Sequence, residues 1–531
     1  RTKYEMAVPV FIESTDDDTP QSKREWQGYV TTEKAASKIK SGREILLHIL
    51  PLQDTKNDGR FTFISEEVIP VQDDLDTFKM TESLHEKLKI FQGDPQKKIP
   101  EIAKNLNDHV FRFRGREHLI IAYDLAYHSV IRFQNPNAPN RTIKGWVEAL
   151  IIGDPGEGKS QLAVDMSKYY GLGAYQDAAT ATPGGLTVTT VQMGGKWVFR
   201  DGLMPLNDRR LVFIDEFNKM AGEDLGRLNT SRSAGKITAS SSAGVYEKPA
   251  RTRLVWITNP KDGRRVDTSD TSVKYPIELV SQLFPDRGAQ DRLDYAVLVL
   301  RDDPKPELPN IPEDASPYTA ELCRQLILWA WTRTPEQIYF TDDAIQAIRE
   351  QSLYLRNKFW NAYSDIELIN SGERTTERLM RLSVAVAARV YSTADGENLF
   401  VTPQHVLYAS QFLETQYVKM GLDKYVQNLM VKARYREQPQ TEKSATKINV
   451  NNNNVDETQV IDTLLSDRIL YDSLNEGSYD MQMEKDRHNR NVVRWLYGMR
   501  YVHTSDFRFY QFTKLFYQEL LPKLKETPSP I

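Results

Sequence analysis

A glycine-rich segment offers the most definite chemistry in the sequence. It matches the pattern G-x-x-x-x-G-K-[ST] without a mismatch, between the apolar run VEALII and the helical run SQLAVDMSKYY. Glycines let successive backbone N–H groups point inward around an anion, and a helix start adds the positive end of a dipole. We therefore predict a phosphate-binding loop rather than a chance turn before a helix. Its residues are Gly153, Asp154, Pro155, Gly156, Glu157, Gly158, Lys159, Ser160 and Gln161.

Side chains in and after this loop suit phosphate transfer. Lys159 would reach the β- and γ-phosphates of ATP, and Ser160 would offer its hydroxyl to Mg²⁺. Asp215 and Glu216 end the apolar run LVFI. Asp215 would hold Mg²⁺ through water, and Glu216 would polarise the attacking water as a general base. Acidic residues that merely terminate a strand are the alternative, which their order after a phosphate loop disfavours.

Short apolar runs alternate with helical runs from residue 146 onward, and these elements must position the site. WVEALIIG, RLVFIDEF, RLVWITNP and DYAVLVL are typical of strands, and KSQLAVDMSKYYG of a helix. This alternation predicts an α/β fold with a parallel sheet that helices cover on both faces. Asn259 ends one of these strands and would position the attacking water. A turn-forming Asn before Pro260 is the alternative.

The rest of the chain divides into segments of different composition. Residues 1–78 are β-rich, and residues 79–310 contain the alternating strands and helices. Residues 311–425 are predicted to be helical, and residues 426–458 to be a polar, Asn-rich linker. Residues 459–531 regain helical and aromatic content, which predicts a small separate domain.

Composition excludes several classes of protein. The 531 residues include no apolar run near the ~20 residues that span a bilayer, so we expect no membrane span. The single cysteine, Cys323, permits neither an intrachain disulfide nor a Cys-based zinc site. A net charge of −4 is not that of a polycation, so nucleic acid would bind local loops or a pore. The first residues lack a starting Met, which indicates a processed or truncated product.

The motifs resemble those of the minichromosome maintenance (MCM) helicases, a family of AAA+ ATPases. GDPGEGKSQL, FIDEFNKM and ITNP stand in the order and spacing of that family's Walker A, Walker B and sensor 1. The resemblance implies an AAA+ P-loop core with a helical lid, between a truncated OB-fold-like segment and a winged-helix-like domain. It also implies an ATP-dependent replicative DNA helicase, a homohexameric ring on single-stranded and forked DNA, with a loader or other replication partners. Such a protein is nuclear in a eukaryote, and otherwise cytoplasmic and associated with the nucleoid.

Two arginines take their roles from this resemblance. QDRLDYAVLVL resembles the arginine-finger segment, which puts the finger on Arg292, and SGERTTERLMRLSVAVAARV resembles the lid helix, which puts sensor 2 on Arg374. The finger would serve the nucleotide of the neighbouring subunit. A salt bridge of Arg292 with Asp291 or Asp294 is the alternative.

Two hairpins are candidate DNA contacts. GLTVTTVQMGGKWVFRDGLMPLND resembles the family's helix-2 insert, and residues 236–244 resemble its pre-sensor-1 hairpin. The family's pore lysine falls on a serine here, as in a divergent member, but hydroxyls also bind phosphate. Trp197 packed under its own hairpin and Lys196 as a solvated turn lysine are the alternatives. The predicted contacts are Lys196, Trp197, Lys236, Ser241 and Ser242.

The sequence allows two interpretations of the tail and two of the overall function. The segment EKDRHNRNVVRWLYGMRYVHTSDFRFYQFTKL is locally basic with interleaved aromatics, which suits either DNA or a protein partner. The alternative to a helicase is a chelatase- or MoxR-like protein-remodelling ATPase without DNA unwinding. Salt-dependent stimulation of ATP hydrolysis by single-stranded DNA separates these two functions. The arginines to test in the tail are Arg487, Arg490, Arg494 and Arg500.

Overall fold

The chain divides into two compact units, residues 1–438 and 439–531. The computed structural model describes residues 8–13, 25–39, 45–53, 61–70, 74–193, 196–220, 222–260, 275–307, 310, 314–362, 364–370, 372–436, 457–476, 478–481, 483–498, 501–504, 509–513 and 515–522.

A small mixed sheet begins the first unit. Its elements are β1 (Val8–Glu13), β2 (Glu25–Val30), α1 (Glu33–Ala36), β3 (Ile45–Gln53) and β4 (Phe61–Pro70). The strand order is β1-β2-β4-β3, with β2 and β4 parallel and the other neighbours antiparallel. Val10, Val30, Phe63 and Val68 form the buried side of this sheet. The strands agree with the β-rich pattern of residues 1–78, whereas the OB-fold likeness stays a prediction.

Helices and a hairpin lead from this sheet to the central one. They are α2 (Asp74–Thr77), α3 (Glu82–Leu88), α4 (Pro95–Leu106), α5 (Glu117–Tyr127), β5 (Arg132–Asn135) and β6 (Ala138–Lys144). The side chains of Thr81 and Asp94 cap α3 and α4, because each accepts a hydrogen bond from a backbone N–H of the first turn. Apolar side chains occupy most positions of α5, so this helix is buried on nearly all sides.

The central sheet carries the site. The elements in chain order are β7 (Glu148–Gly153), α6 (Lys159–Tyr170), β8 (Ala174–Asp177), α7 (Pro183–Leu186), β9 (Val188–Met193), β10 (Lys196–Asp201), α8 (Leu203–Leu206), β11 (Leu211–Asp215), α9 (Gly222–Ala234), β12 (Lys236–Ser241), β13 (Gly244–Pro249), β14 (Arg253–Thr258), α10 (Glu278–Leu283), α11 (Arg287–Gln290) and β15 (Tyr295–Val299). Five of the strands form a parallel sheet in the order β15-β7-β14-β11-β8. Every residue of β7, β11, β14 and β15 is buried, as in a sheet that helices cover on both faces.

The predicted α/β class is therefore confirmed. The predicted strands form the three inner positions of the sheet and its β15 edge, but β8 was not predicted. This strand is four residues long and only partly buried, so its sequence carries too weak an apolar pattern to be recognised.

A helical lid follows the sheet. Its elements are α12 (Ala320–Thr332), β16 (Ile338–Phe340), α13 (Asp342–Phe359), α14 (Glu373–Arg389), β17 (Leu399–Val401), α15 (Pro403–Lys419) and α16 (Leu422–Arg436). The two short strands β16 and β17 pair in parallel. Helix α14 is buried along most of its length and anchors the lid.

The predicted linker starts too early. Residues 426–436 continue helix α16. Val426 is buried in the core, and Asn428 Nδ2 donates a hydrogen bond to Tyr275 Oη at 3.0 Å, so this part of the helix packs on the unit. Residues 437–456, most of the remaining predicted linker, lie outside the described residues.

The second unit has its own core. Its elements are α17 (Glu457–Ser466), α18 (Arg468–Glu476), β18 (Tyr479–Asp480), α19 (Arg487–Gly498), β19 (Val502–His503) and β20 (Phe509–Phe512). The strands form an antiparallel sheet in the order β18-β20-β19. Leu474, Val492 and Phe516 are among the buried side chains. The winged-helix likeness stays a prediction, and of the four tail arginines only the side chain of Arg490 is described. No helix in the described parts of either unit is long and apolar enough to cross a membrane.

Candidate active site

The phosphate-binding loop joins the end of β7 to the start of α6. Gly156 and Gly158 have φ angles of +79° and +80°, a left-handed conformation that favours glycine. A Cβ on Gly158 would stand 2.8 Å from the Phe113 ring, so this position needs glycine for packing as well. Pro155 and Gln161 are exposed on the loop and on the first turn of α6.

Lys159 is the first residue of α6, and its side chain is buried. Its Nζ donates to the carbonyl oxygens of Gly153 and Asp154 at 2.9 and 2.7 Å, and to Asn259 Oδ1 at 3.0 Å. Burial lowers the pKa of Lys159 to about 8, although the carboxylate of Asp215 acts in the opposite direction. The loop thus holds a desolvated cation that phosphate oxygens would stabilise.

Asp215 ends β11 beside this loop. Its Oδ2 accepts a hydrogen bond from the Tyr175 hydroxyl on β8, and its Oδ1 accepts one from the backbone N–H of Glu216 at 2.7 Å. Burial and the Asp215 carboxylate raise the pKa of Tyr175, and a hydrogen bond with Ser160 opposes that shift. Ser160 and Asp215 therefore share one neighbour, and their hydroxyl and carboxylate oxygens are the ligand type that Mg²⁺ prefers.

Glu216 turns the chain away from the sheet. Its φ of +51° lies in the left-handed region, which is uncommon for a residue other than glycine. Its carboxylate forms an ion pair with Lys219 and is 38% exposed. Asn259 follows β14, the neighbouring strand, and Thr258 Oγ1 accepts a hydrogen bond from the Asn218 N–H at 3.2 Å, which ties the two strand ends together.

Side chains that the sequence did not point to hold the loop in place. Arg116 Nε donates to the Glu157 carbonyl at 3.1 Å, and its guanidinium pairs with the carboxylates of Glu157 and Asp303. Lys305 Nζ lies 2.6 Å from the same Glu157 carboxylate. Tyr175, the partner of Asp215, was not predicted either. Arg116 stands 41 residues from Glu157 and 187 residues from Asp303, so no local spacing signals these contacts.

Arg292 and Arg374 lie away from this cluster. The register pairs Tyr295 with Ala149 and Val299 with Gly153. Arg292 therefore precedes the amino end of β15, whereas the phosphate loop follows the carboxyl end of β7. At ~3.3 Å per residue, the five residues of β15 put about 17 Å between these two sheet edges. Each chain thus carries the predicted finger on the opposite edge from its own loop.

The two arginines share one neighbourhood. Arg374 forms an ion pair with Asp291, the residue before Arg292. The Arg292 guanidinium is partly buried, and its Nε has no hydrogen-bond partner in the described parts of the chain. Of the two carboxylates considered as its alternative partners, Asp291 pairs with Arg374 and Asp294 with Arg381.

An open cavity of about 610 Å³ lies beside these residues, and Arg141, Arg287 and Arg374 line it. Each of these side chains is more than half exposed and pairs with a nearby carboxylate. The pairs of Arg141 and Arg287 are the more exposed ones and contribute little stability, whereas the carboxylate that pairs with Arg374 is only 10% exposed. The guanidinium groups of Arg141 and Arg287 could therefore exchange their partners for an incoming anion.

The first hairpin, β9–β10, presents Lys196 and Trp197. Lys196 is exposed and pairs in register with Met193 at the end of the hairpin, and Gly194 and Gly195 lie outside the described residues. Trp197 is 48% exposed, so its ring is only partly covered by the hairpin and its surroundings.

The second hairpin, β12–β13, carries the other three predicted contacts, and they do not lie together. Ser241 pairs with Gly244 at the tip, and Ser242 is exposed in the turn. Lys236 pairs in register with Pro249, and its Nζ lies 3.2 Å from Glu247. The antiparallel register thus puts Lys236 at the base of the hairpin, away from the two serines at its tip.

Comparison with known proteins agrees with this architecture. Residues 121–305 match the MCM P-loop domain. The probable DNA helicase MCM9 of Arabidopsis thaliana is 32% identical over 128 residues, which are 24% of this chain and 20% of the relative. The DNA replication licensing factor MCM4 of Oryza sativa subsp. japonica is 26% identical over 295 residues, 53% of this chain and 33% of the relative. The minichromosome maintenance protein MCM of Saccharolobus solfataricus is 26% identical over 257 residues, 45% and 37% of the two chains. The chain thus spans between a fifth and two fifths of the length of these relatives.

Proposed function

We propose that this chain, which belongs to the MCM family as a divergent member, is an ATP-hydrolysing DNA helicase that acts in DNA replication. The observation that carries the proposal is the convergence of Lys159, Asp215 and Asn259 at one edge of the parallel sheet, beside a glycine-rich loop at a helix start. Relatives with the same P-loop domain are named DNA helicases.

The site fits ATP and Mg²⁺. The three N–H donors of the buried Lys159 ammonium go to two loop carbonyls and one amide, and phosphate oxygens would replace some of these neutral acceptors. When bound, Mg²⁺ would neutralise negative charge on the β- and γ-phosphates, with the Ser160 hydroxyl as a ligand and Asp215 holding it through water. Lys159 would stabilise the same charge from the loop, and Asn259 would orient the attacking water.

Glu216 would act as the general base. It would accept a proton from the water that attacks the γ-phosphate, a role typically worth 10²–10⁴-fold in rate. Its carboxylate pairs with Lys219, so this ion pair must open before the carboxylate can accept the proton. Both side chains are exposed in part, which keeps the cost of opening small.

The nucleotide would lie between subunits of a homohexameric ring. Because the finger and the loop occupy opposite sheet edges, Arg292 and Arg374 of one subunit would face the loop of the next. Such a contact joins two different surfaces, and repeating it around a rotation axis closes a ring. A guanidinium supplied in this way stabilises the charge that develops during phosphoryl transfer.

The hairpins β9–β10 and β12–β13 would line the ring channel and contact single-stranded or forked DNA. Lys196, Trp197, Ser241 and Ser242 would bind the strand through charge, stacking and hydroxyl groups, with Lys236 further from the tip. Residues 1–78 and 459–531 would act as OB-fold-like and winged-helix-like accessory domains. Loader or replication partners and a nuclear location, if the source is a eukaryote, belong to the same proposal.

The test is ATP hydrolysis by the purified protein, with and without poly-dT, at several salt concentrations, followed by unwinding of a forked duplex. We expect stimulation by poly-dT that weakens as salt increases, and unwinding that Glu216→Gln abolishes. ATP hydrolysis without any DNA binding would instead favour the protein-remodelling ATPase, which the uncharged tip of β12–β13 leaves open.

A further inference from the structure

Asp201 joins the two hairpins. It is the last residue of β10, and both of its carboxylate oxygens accept bonds from β13 of the other hairpin. Tyr246 Oη donates to Oδ1 at 2.8 Å, and Lys248 Nζ donates to Oδ2 at 2.6 Å. The carboxylate of Asp201 thus links the described parts of β9–β10 to those of β12–β13.

The surroundings of this carboxylate strengthen the link. The Asp201 side chain is only 10% exposed, and Tyr246 is buried. The Tyr246 ring lies 5.2 Å from the Phe199 ring of β10, centroid to centroid, and Lys248 Nζ lies 5.7 Å from the Tyr246 ring. Hydrogen bonds to a charged acceptor are stronger than neutral ones, and burial reduces competition from water.

A second ion pair in the same region provides a contrast. Lys236 and Glu247 pair at 3.2 Å, but both belong to β12–β13, and their side chains are 47% and 60% exposed. This pair cannot fix one hairpin relative to the other, and its exposure makes it weak. The Asp201 contacts cross between the hairpins, and the carboxylate and Tyr246 are shielded from solvent, although Lys248 is 42% exposed.

We propose that Asp201 is a positioning residue that couples the two hairpins, so that they move as one body when they carry a DNA strand. The functional part of this inference rests on the proposed helicase function. The mechanical part does not, because it concerns only the distance between the hairpins. A strand held by Lys196 on one hairpin and by Ser241 on the other would then experience a single displacement in each ATP cycle.

The mechanical test measures the distance between two nitroxide labels by pulsed electron paramagnetic resonance. Gln192 on β9 and Val245 on β13 are exposed, so Gln192→Cys and Val245→Cys accept labels. Cys323, the single native cysteine, is buried and should take up none. We expect one narrow distance population in this background, which broadens or splits with Asp201→Asn. Glu247→Gln is the matched control, since it removes a carboxylate contact within one hairpin, and Asp201→Glu should restore much of the narrow population.

Two further variants guard against a folding defect in Asp201→Asn. Tyr246→Phe removes one hydroxyl but keeps the ring against Phe199, and Lys248→Met removes the other donor. Each alone should broaden the distribution less than their combination. A distribution that stays as narrow in the folded combination, or in folded Asp201→Asn, as in the background overturns the coupling.

The functional test is the ratio of poly-dT-stimulated to basal ATP hydrolysis. Asp201→Asn should leave basal hydrolysis unchanged and lower the stimulation about threefold, at the small end of the coupling seen within one hydrogen-bond network. Unchanged stimulation with a broadened distance distribution overturns the coupled movement on DNA. If the parent protein binds no DNA while the label distances still depend on Asp201, the helicase proposal fails and the hairpin coupling stands.

Discussion

The two edges of the central sheet differ in how far their predicted site residues are held by partners within the chain. At the carboxyl edge, Lys159 donates a hydrogen bond to Asn259 and Asp215 accepts one from Tyr175, so the side chains proposed for ATP binding already have partners. At the amino edge, the Arg292 Nη1 donates to the Gly288 carbonyl, but its buried Nε has no partner in the described chain, and the exposed Arg374 pairs with the largely buried Asp291. This difference is what the proposed shared site would require. One edge would bind the nucleotide of its own subunit, and the arginines of the other edge would meet the nucleotide of a neighbouring subunit.

The largest effect should come from removing the predicted arginine finger at the amino edge. Arg292→Ala should lower ATP turnover by about 10³-fold or more, the value of such a finger, while ATP binding persists. Lys159→Ala should lose binding itself. Steady-state phosphate release and titration with a fluorescent ATP analogue measure the two properties. Arg349→Ala, at an exposed position on α13, is the control and should behave as the parent protein.

Mixing these two variants sharpens the comparison between the edges. A shared interface then pairs the intact loop of the Arg292→Ala subunit with the intact finger of the Lys159→Ala subunit. Partial turnover should return although neither variant works alone. If co-assembled subunits, verified by pull-down of a tagged variant, recover no turnover, Arg292 does not act on a neighbour.

The next effect belongs to the carboxyl edge. Glu216→Gln keeps the side-chain shape and the Asp215 carboxylate but removes the proton acceptor. Turnover should fall by about 10²–10⁴-fold, with ATP binding retained. Glu247→Gln, a partly exposed carboxylate on β13, is the matched control for loss of one charge. Normal phosphate release by Glu216→Gln would remove this residue from the catalytic role.

A smaller effect, on the pH dependence of ATP affinity, should follow from the burial of Lys159. The pKa of Lys159 in the free protein is about 8, and phosphate binding requires the protonated form. ATP affinity should therefore be nearly constant below pH 7 and fall about fivefold between pH 8 and pH 9, because the lysine loses its proton as the pH rises through its pKa. Titration with an ATP analogue at each pH measures the change. Lys159→Arg should bind more weakly but with a flat profile, since a guanidinium stays charged, and a flat profile in the parent protein contradicts the lowered pKa.

Sequence predicted the carboxyl edge better than its surroundings for a physical reason. Lys159, Asp215 and Asn259 each end or follow a buried strand, and parallel strands bring their carboxyl ends to one edge, so chain order alone predicted their proximity. Their catalytic roles stay predictions. Tyr175 lies on a short, partly exposed strand, and Arg116 reaches Asp303 across 187 residues. Contacts of this kind follow from tertiary packing and have no local signature.

At the amino edge and in the hairpins, too, the sequence did not predict contacts that depend on tertiary packing. The resemblance gave Arg292 and Arg374 their predicted roles, but the ion pair that joins Arg374 to Asp291 depends on how α14 packs against the segment before β15. The register of β12–β13 was equally hidden, because the serine run gives no sign of where the turn lies. That register puts Lys236 opposite Pro249, away from the tip.

The smallest expected effect concerns single lysines on the hairpins. Lys196 is exposed at the described end of β9–β10, whereas Lys236 stands at the base of its hairpin and is paired with Glu247. Lys196→Ala should lower affinity for poly-dT and reduce the slope of log affinity against log salt by about one unit, as for the loss of one phosphate contact. Lys236→Ala should change both less, because its charge is already partly neutralised.

Fluorescence anisotropy with labelled poly-dT at several salt concentrations, in the presence of ATP, measures both quantities. Glu247→Gln is the informative partner, since it releases Lys236 and should raise affinity slightly in the parent but not in Lys236→Ala. Arg490→Ala in the second unit should weaken duplex binding more than binding of poly-dT. If Lys196→Ala leaves affinity and salt slope unchanged, β9–β10 does not contact the strand. Equal losses from the two lysine variants would instead mean that the strand reaches the base of β12–β13, and that the ion pair with Glu247 opens when DNA binds.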